Sequence, residues 1–274
     1  MPAIDLTKPQ IMGILNITED SFSDGSKFTR VDAALARAQA MVADGASIID
    51  IGAESTRPGA SAISPAEQLD KLMPVIEAIR QNIDVAISID TAATEVMRAV
   101  IAAGVDMIND VCALTSDGAL ELVATANIPV CLMHMQGNPH SMQQDPRYEH
   151  VVNEVSDFLQ HRVQLALAAG IAKHNIILDP GFGFGKTTEH NLQLVNGIKH
   201  LSTLGYPLLI GVSRKSMLGA ITGKDLDNRL YSGLAISSIG VYLGANIIRT
   251  HDVAATYDAA TAALACRDAV AVAR

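Results

Sequence analysis

A chain of 274 residues, 49% hydrophobic and 18% charged, can bury a substantial core and is too apolar to be disordered. Its formal net charge of −9 argues against non-specific binding to nucleic acid or an anionic membrane, yet leaves room for an anionic substrate in a local basic pocket. The three cysteines form an odd set that suits reduced thiols in a cytoplasmic protein better than a disulfide framework.

Met1–Gln10 is polar and lacks the apolar segment of a signal peptide. Eight apolar runs of strand length follow: Ile11–Leu15, Ser47–Ile51, Val85–Ile89, Met107–Val111, Pro129–Met133, Asn175–Leu178, Pro207–Val212 and Asn246–Thr250. Between them the periodicity shifts toward that of a helix. Val31, Leu35, Ala38, Met41 and Val42 share one helical face. Ser64-Pro65-Ala66-Glu67 reads as a capping box with proline at the first helical position, opening a helix to Gln81. Gly45, Gly104 and Gly170 stand where helices should stop. The stretch Gly233–Ile248 is too short for a membrane span and contains Ser237, Ser238 and Asn246, so it reads as a buried helix entering a strand. A last helix is expected from about Val253 to Ala273. Strands alternating with helices predict an α/β fold, a (β/α)8 TIM barrel forming a single domain over residues 1–274.

The runs end in polar residues: Asn16, Asp50 followed by Glu54, Asp90, Asn109–Asp110, His134, Asp179, Ser213–Lys215 and Arg249–His251. In such a barrel these ends form the catalytic rim. Two connections, Asn16–Arg30 and Ala53–Ser64, look long enough to act as lids or walls.

The segment from Asp179 to Lys186 (Asp-Pro-Gly-Phe-Gly-Phe-Gly-Lys) has one residue too few between Gly181 and Gly185 for a Walker loop. It also has Lys186 where a dinucleotide fingerprint needs glycine. A carboxylate followed by a glycine path with two aromatics suits a flat heterocycle. The alternative is a helix-capping Asp and phenylalanines that plug the core. Asp90 and Asn109 are either helix caps or, with Asp179, an acceptor-rich set for a donor-rich edge, guanidine-like or pterin-like. Ser213-Arg214-Lys215-Ser216 and Arg249-Thr250-His251 end the last two strands, where barrels often bind phosphate. Their arginines could instead pair with acidic residues. Asn16 is a candidate ligand of a hydrated Mg2+, or simply a cap. His134 and His140 lie in no metal-binding spacing, and His134 reads as a core or hydrogen-bonded histidine. No Gly-x-Ser-x-Gly elbow occurs.

From Ile11 to about Val253 the chain resembles the dihydropteroate synthase family. The resemblance rests on the segments 13–25, 50–59, 88–91, 108–111 and 132–137, the Asp179 run, and the segments 211–216 and 249–252. It implies a transferase that joins 6-hydroxymethyl-7,8-dihydropterin pyrophosphate to p-aminobenzoate and releases pyrophosphate. It implies that Asp90, Asn109, Asp179 and Lys215 hold the pterin, with Met133 and Phe184 bordering it. Asn16, Arg249 and His251 would bind pyrophosphate and Mg2+, with Asn16 as the metal ligand. Phe22, Thr56, Arg57, Pro58 and Ser216 would enclose p-aminobenzoate, and Asp179, Lys215 and Arg249 would be catalytic. A homodimer is also implied. Glu19 stands where the family often has proline, and Thr250 replaces a commoner apolar residue. Two rivals share the pterin pocket: a pterin-dependent methyltransferase and a non-catalytic pterin-binding subunit. The cations at 213–216 and 249–251 argue against the first, and the complete set of loop and anion-site residues against the second.

Overall fold

The computed structural model describes residues 4–17, 27–54, 63–137 and 141–269. In chain order its strands and helices are β1 (Gln10–Asn16), α1 (Lys27–Ala43), β2 (Ile48–Gly52), α2 (Pro65–Asn82), β3 (Ala86–Asp90), α3 (Thr94–Ala102) and β4 (Met107–Asp110). Then come α4 (Ala119–Ala126), β5 (Val130–Met133), α5 (Val151–Ala168), β6 (Ile176–Asp179), α6 (Thr188–Ser202), β7 (Leu209–Ile210), α7 (Ser216–Thr222), α8 (Leu230–Leu243), β8 (Ile247–Thr250) and α9 (Val253–Asp268). All eight expected strands are present, and every ladder is parallel.

The sheet runs β6-β5-β4-β3-β2-β1-β8-β7, and a parallel bridge from Leu178 to Leu208 joins its two ends into the expected (β/α)8 barrel. β7 is shorter than its apolar run. Pro207 has no amide hydrogen to donate, and pairing with β8 stops at Ile210. α1 begins at Lys27, inside the stretch expected to be loop. The anticipated box at α2 is formed: Ser64 Oγ accepts from Glu67 N at 3.3 Å, and Ser64 N donates to Glu67 Oε2 at 2.8 Å. No helix among the described residues is long and apolar enough to cross a membrane.

Alternation along the strands explains where the polar rim begins. Met12, Ile48, Ala86, Met107, Cys131, Ile177, Leu209 and Ile247, one from each strand, pack as an apolar cluster inside the barrel, with Ile4 and Leu6 against it. Two positions further along each strand the side chain returns to the same face. Those positions hold Ile14, Asp50, Ser88, Asn109, Met133, Asp179, Gly211 and Arg249. The outward faces meet the helices in a larger core that includes Ile49, Ile51, Ile87, Ile89 and Leu132. The interior thus changes from apolar to polar within one step toward the carboxyl ends. Ser64→Ala removes the α2 cap and should cost about 1 kcal/mol, read as a lower urea midpoint at an unchanged slope.

Candidate active site

Arg249 reaches across the barrel mouth from β8. Its Nε donates to Asp50 Oδ2 at 2.6 Å and its Nη2 to Asp90 Oδ2 at 2.8 Å. Asn109 Nδ2 donates to the same Asp50 oxygen at 3.1 Å. Asp50 is fully buried, and among the described residues its Oδ1 has no hydrogen-bond partner. Burial disfavours charge on Arg249, but the Asp50 and Asp90 carboxylates outweigh it and raise the pKa. Burial pushes Asp90 up to about 7, with Arg249 pulling it back. The salt-bridge alternative for this arginine is therefore realised in part, yet neither ion pair uses Nη1.

Asp179 ends β6 and is buried, with Oδ1 accepting from Gly181 N at 2.7 Å. Burial raises its pKa to about 6, opposed by that hydrogen bond and by the Lys215, Lys186 and Arg249 charges. Lys215 caps α7 and holds its Nζ 3.9 Å from the centre of the Phe184 ring. Burial lowers its pKa to about 8, with Asp179 acting in the opposite direction. Asp179, Lys215, Arg249 and Asp90 are thus near enough to influence one another's charge. Met133 is buried beside this group, in register with Asp179 on the neighbouring strand.

The glycine path is required by close packing. Gly181, Gly183 and Gly185 all have positive φ, of +69°, +79° and +63°. A Cβ at Gly181 would run into the His134 carbonyl, and one at Gly183 would come within 2.9 Å of Lys215 Cδ. Of the two aromatics, Phe182 plugs the core, as one of the two readings has it, while half-buried Phe184 faces Lys215.

Among the described residues, Asn16, His251 and Ser216 stand at the carboxyl ends of their strands or in the connections that follow. Asn16 ends β1. A Cβ built on neighbouring Gly52 would lie 3.5 Å from Asn16 Oδ1 and 3.6 Å from Asp90 Cβ, so the amide and the carboxylate flank Gly52. His251 Nδ1 lies 3.0 Å from Ser213 Oγ, which also accepts from His251 N at 3.2 Å. Ser216 is exposed at the first turn of α7. Arg214 is turned away, its Nη2 paired with Asp252 Oδ1 at 2.8 Å. Phe22, Thr56, Arg57, Pro58 and His140 lie outside the described residues. His134 is buried and hydrogen-bonded, as its sequence context suggested.

Sequence gives two residues of this region no role. Asp50 shows there only as one of the polar strand ends; its parity with Ile48, two positions earlier, is the signal that it points inward. Lys186 shows only as the residue where a dinucleotide fingerprint needs glycine, and the structure buries it beneath the Phe184 loop.

A family described as "Pterin binding enzyme" matches residues 12–251, which places this parallel barrel, with buried acceptors and cations at its mouth, among the pterin-binding (β/α)8 enzymes. The chain belongs to the dihydropteroate synthase family. It is 50% identical over 255 residues to the dihydropteroate synthase of Haemophilus influenzae, covering 93% of each chain. It is 46% identical to that of Escherichia coli, covering 94% of this chain and 91% of that one. The solved Yersinia pestis dihydropteroate synthase, in a sulfonamide drug complex, superposes with a TM-score of 0.92 at 47% identity over 97% of both chains. The Xanthomonas albilineans enzyme with 4-aminobenzoic acid gives 0.91 at 45% identity, over 97% of this chain and 95% of that one.

The raised pKa of Asp179 has a stability consequence. A carboxyl with a folded pKa above its unfolded value supports the fold while protonated and withdraws that support as pH rises through the folded pKa. Unliganded Asp179→Asn should therefore gain stability over the parent between about pH 4 and about pH 6, on the order of 3 kcal/mol, and gain no more above that. Denaturant unfolding across this range measures it; a difference that does not change with pH would contradict the buried-carboxylate account.

Proposed function

We propose that this chain, as a single domain over residues 1–274, makes 7,8-dihydropteroate from 6-hydroxymethyl-7,8-dihydropterin pyrophosphate and p-aminobenzoate. The observation that carries this reading is one rim that sets acceptors (Asp179, Asn109, Asp90) beside cations (Lys215, Arg249), with Arg249 Nη2 2.8 Å from Asp90 Oδ2 and Lys215 Nζ over the Phe184 ring that follows Asp179. The pterin's 2-amino group and ring N–H form a fork that ionised Asp179 accepts. Asn109 and Asp90 extend the acceptor edge, Lys215 donates to ring acceptors, and Phe184 and Met133 border the ring faces. Arg249, through Nη1, and His251 take the pyrophosphate.

The electrons move in one direction. The bond from the pterin methylene to the pyrophosphate oxygen breaks, and its pair leaves with pyrophosphate, whose growing charge faces Arg249. The cation left on the methylene delocalises into the electron-rich ring. The lone pair of the aromatic amine closes the new C–N bond, and the amine gives up a proton. Phe22, Thr56, Arg57 and Pro58, with Ser216, would enclose p-aminobenzoate and exclude the water that would otherwise capture the cation. No enzyme nucleophile is required.

Asn16 suits Mg2+ as a hard oxygen donor, with the Asp90 carboxylate across Gly52 from it. Among the described residues no group of three His, Cys, Asp or Glu forms a metal cage, so such an ion would complete its shell with pyrophosphate oxygens and water. When bound, Mg2+ would neutralise charge on the leaving group. We further propose a cytoplasmic homodimer of a protein that binds neither nucleic acid nor membrane. Exposed Tyr231, Ile239 and Tyr242 follow one face of α8 and support a second copy there. A methyltransferase would have no use for the cationic side, since its donor carries no pyrophosphate.

Purified protein supplied with both substrates and Mg2+ should release dihydropteroate and pyrophosphate in equal amounts. Asp179→Asn should lose most of this turnover, because the amide puts a donor where an acceptor is needed; unchanged kcat and KM would refute the pterin assignment. Arg249→Ala should weaken pyrophosphate binding more than pteroic acid binding in calorimetry, and equal losses would count against its role on the anion side.

A further inference from the structure

Lys186 follows the glycine segment after β6, and the reaction above gives it no part. It is only 3% exposed. Its Nζ lies 2.9 Å from His134 Nδ1, 2.9 Å from the Gly181 carbonyl oxygen, 3.0 Å from that of Phe184 and 3.4 Å from that of His134. Burial lowers the Lys186 pKa to about 7, with Asp179 acting in the opposite direction. In its charged form Nζ has donors only, so His134 Nδ1 then accepts and the imidazole is neutral. Burial and the Lys186 charge together push the His134 pKa down to about 3. A methionine could fill the same space without the desolvation that a buried ammonium requires. What distinguishes lysine here is its grip on backbone oxygens of one loop.

That loop carries the Phe184 ring and adjoins Asp179. Its other carbonyls are held too: Gln143 Nε2 donates to that of Gly183, and Tyr148 Oη to that of Gly185 at 2.9 Å. Phe184 N donates to the Gly181 carbonyl at 3.1 Å, and Lys186 adds the bonds that tie both carbonyls to the end of β5. The Phe184 ring in turn lies under the Lys215 ammonium. A small rotation of the loop would move the aromatic border of the site relative to both Asp179 and Lys215.

We propose that Lys186 is a positioning residue: its ammonium, clamped between His134 and the Gly181 and Phe184 carbonyls, sets the Phe184 ring against which a flat bicyclic ligand stacks. This rests on the pterin reading of the site. The anion side, Arg249 and His251 on and after β8 with Ser213, is held by other bonds and should not depend on it.

Calorimetry with pteroic acid and, separately, with inorganic pyrophosphate tests the inference. In Lys186→Met, pteroic acid should bind about tenfold more weakly while pyrophosphate changes by less than about twofold. Losses of equal size for the two ligands, or no loss for pteroic acid, would overturn it. If that variant does not fold, His134→Asn and His134→Leu decide the question. The asparagine oxygen can stand in for Nδ1 as acceptor and should hold pteroic acid affinity within about twofold, while leucine should lower it several-fold more; equal affinities in the two would overturn the proposal. A parent protein that fails to bind pteroic acid would instead remove the pterin reading itself.

Discussion

A guanidinium shared by two carboxylates inside the barrel is the contact on which the rest of the site depends. Arg249 bonds Asp50 and Asp90 at once, and Asp50 shares one oxygen between Arg249 and Asn109. Each of these charges would be severely penalised if buried alone, and removal of any one leaves its partners uncompensated. The network joins β2, β3, β4 and β8, so the acceptor edge and the cation proposed to face the leaving group are mechanically one unit. This arrangement suits a reaction in which ring and diphosphate begin in one molecule and end in two.

The opposite wall is ordered by backbone approach. Three left-handed glycines let the chain after β6 pass against the β5 connection and against Lys215 at distances that a Cβ would not permit. Lys186 then holds carbonyls that have no strand to pair with, and the Phe184 ring is held against Lys215. Here the structure keeps ionisable groups in surroundings that oppose their charge. Asp90, Asp179 and Lys215 all have pKa values shifted by burial toward the neutral form. A ligand offering complementary donors and charges relieves that opposition, so stability given up in the empty site becomes affinity in the occupied one.

The barrel was legible because its signal is local. A strand reveals itself by a short apolar run, a helix by its period and its cap, and the alternation of the two defines the sheet. Departures fell where local pattern is weakest: β7 lost residues to Pro207, and α1 reached back into an expected loop. The candidate rim was legible for the same reason, since Asn109, Asp179 and Arg249 each end an apolar run. Arg214 and Arg249 looked alike on that basis. Asp252 takes one and the barrel interior takes the other.

The order of residues alone determined which segments become strands, which ends carry polar groups and which family the chain resembles, because hydrophobic period, turn chemistry and motif spacing act over a few residues. The folded molecule decided that Asp50 links Asn109 to Arg249, that Lys186 braces Phe184, and that Phe182 is core while Phe184 is surface of the site. Those partners lie as far as 199 residues apart along the chain. Only closure of the parallel sheet brings them within hydrogen-bonding distance, and only burial there gives their charges the strength to order one another.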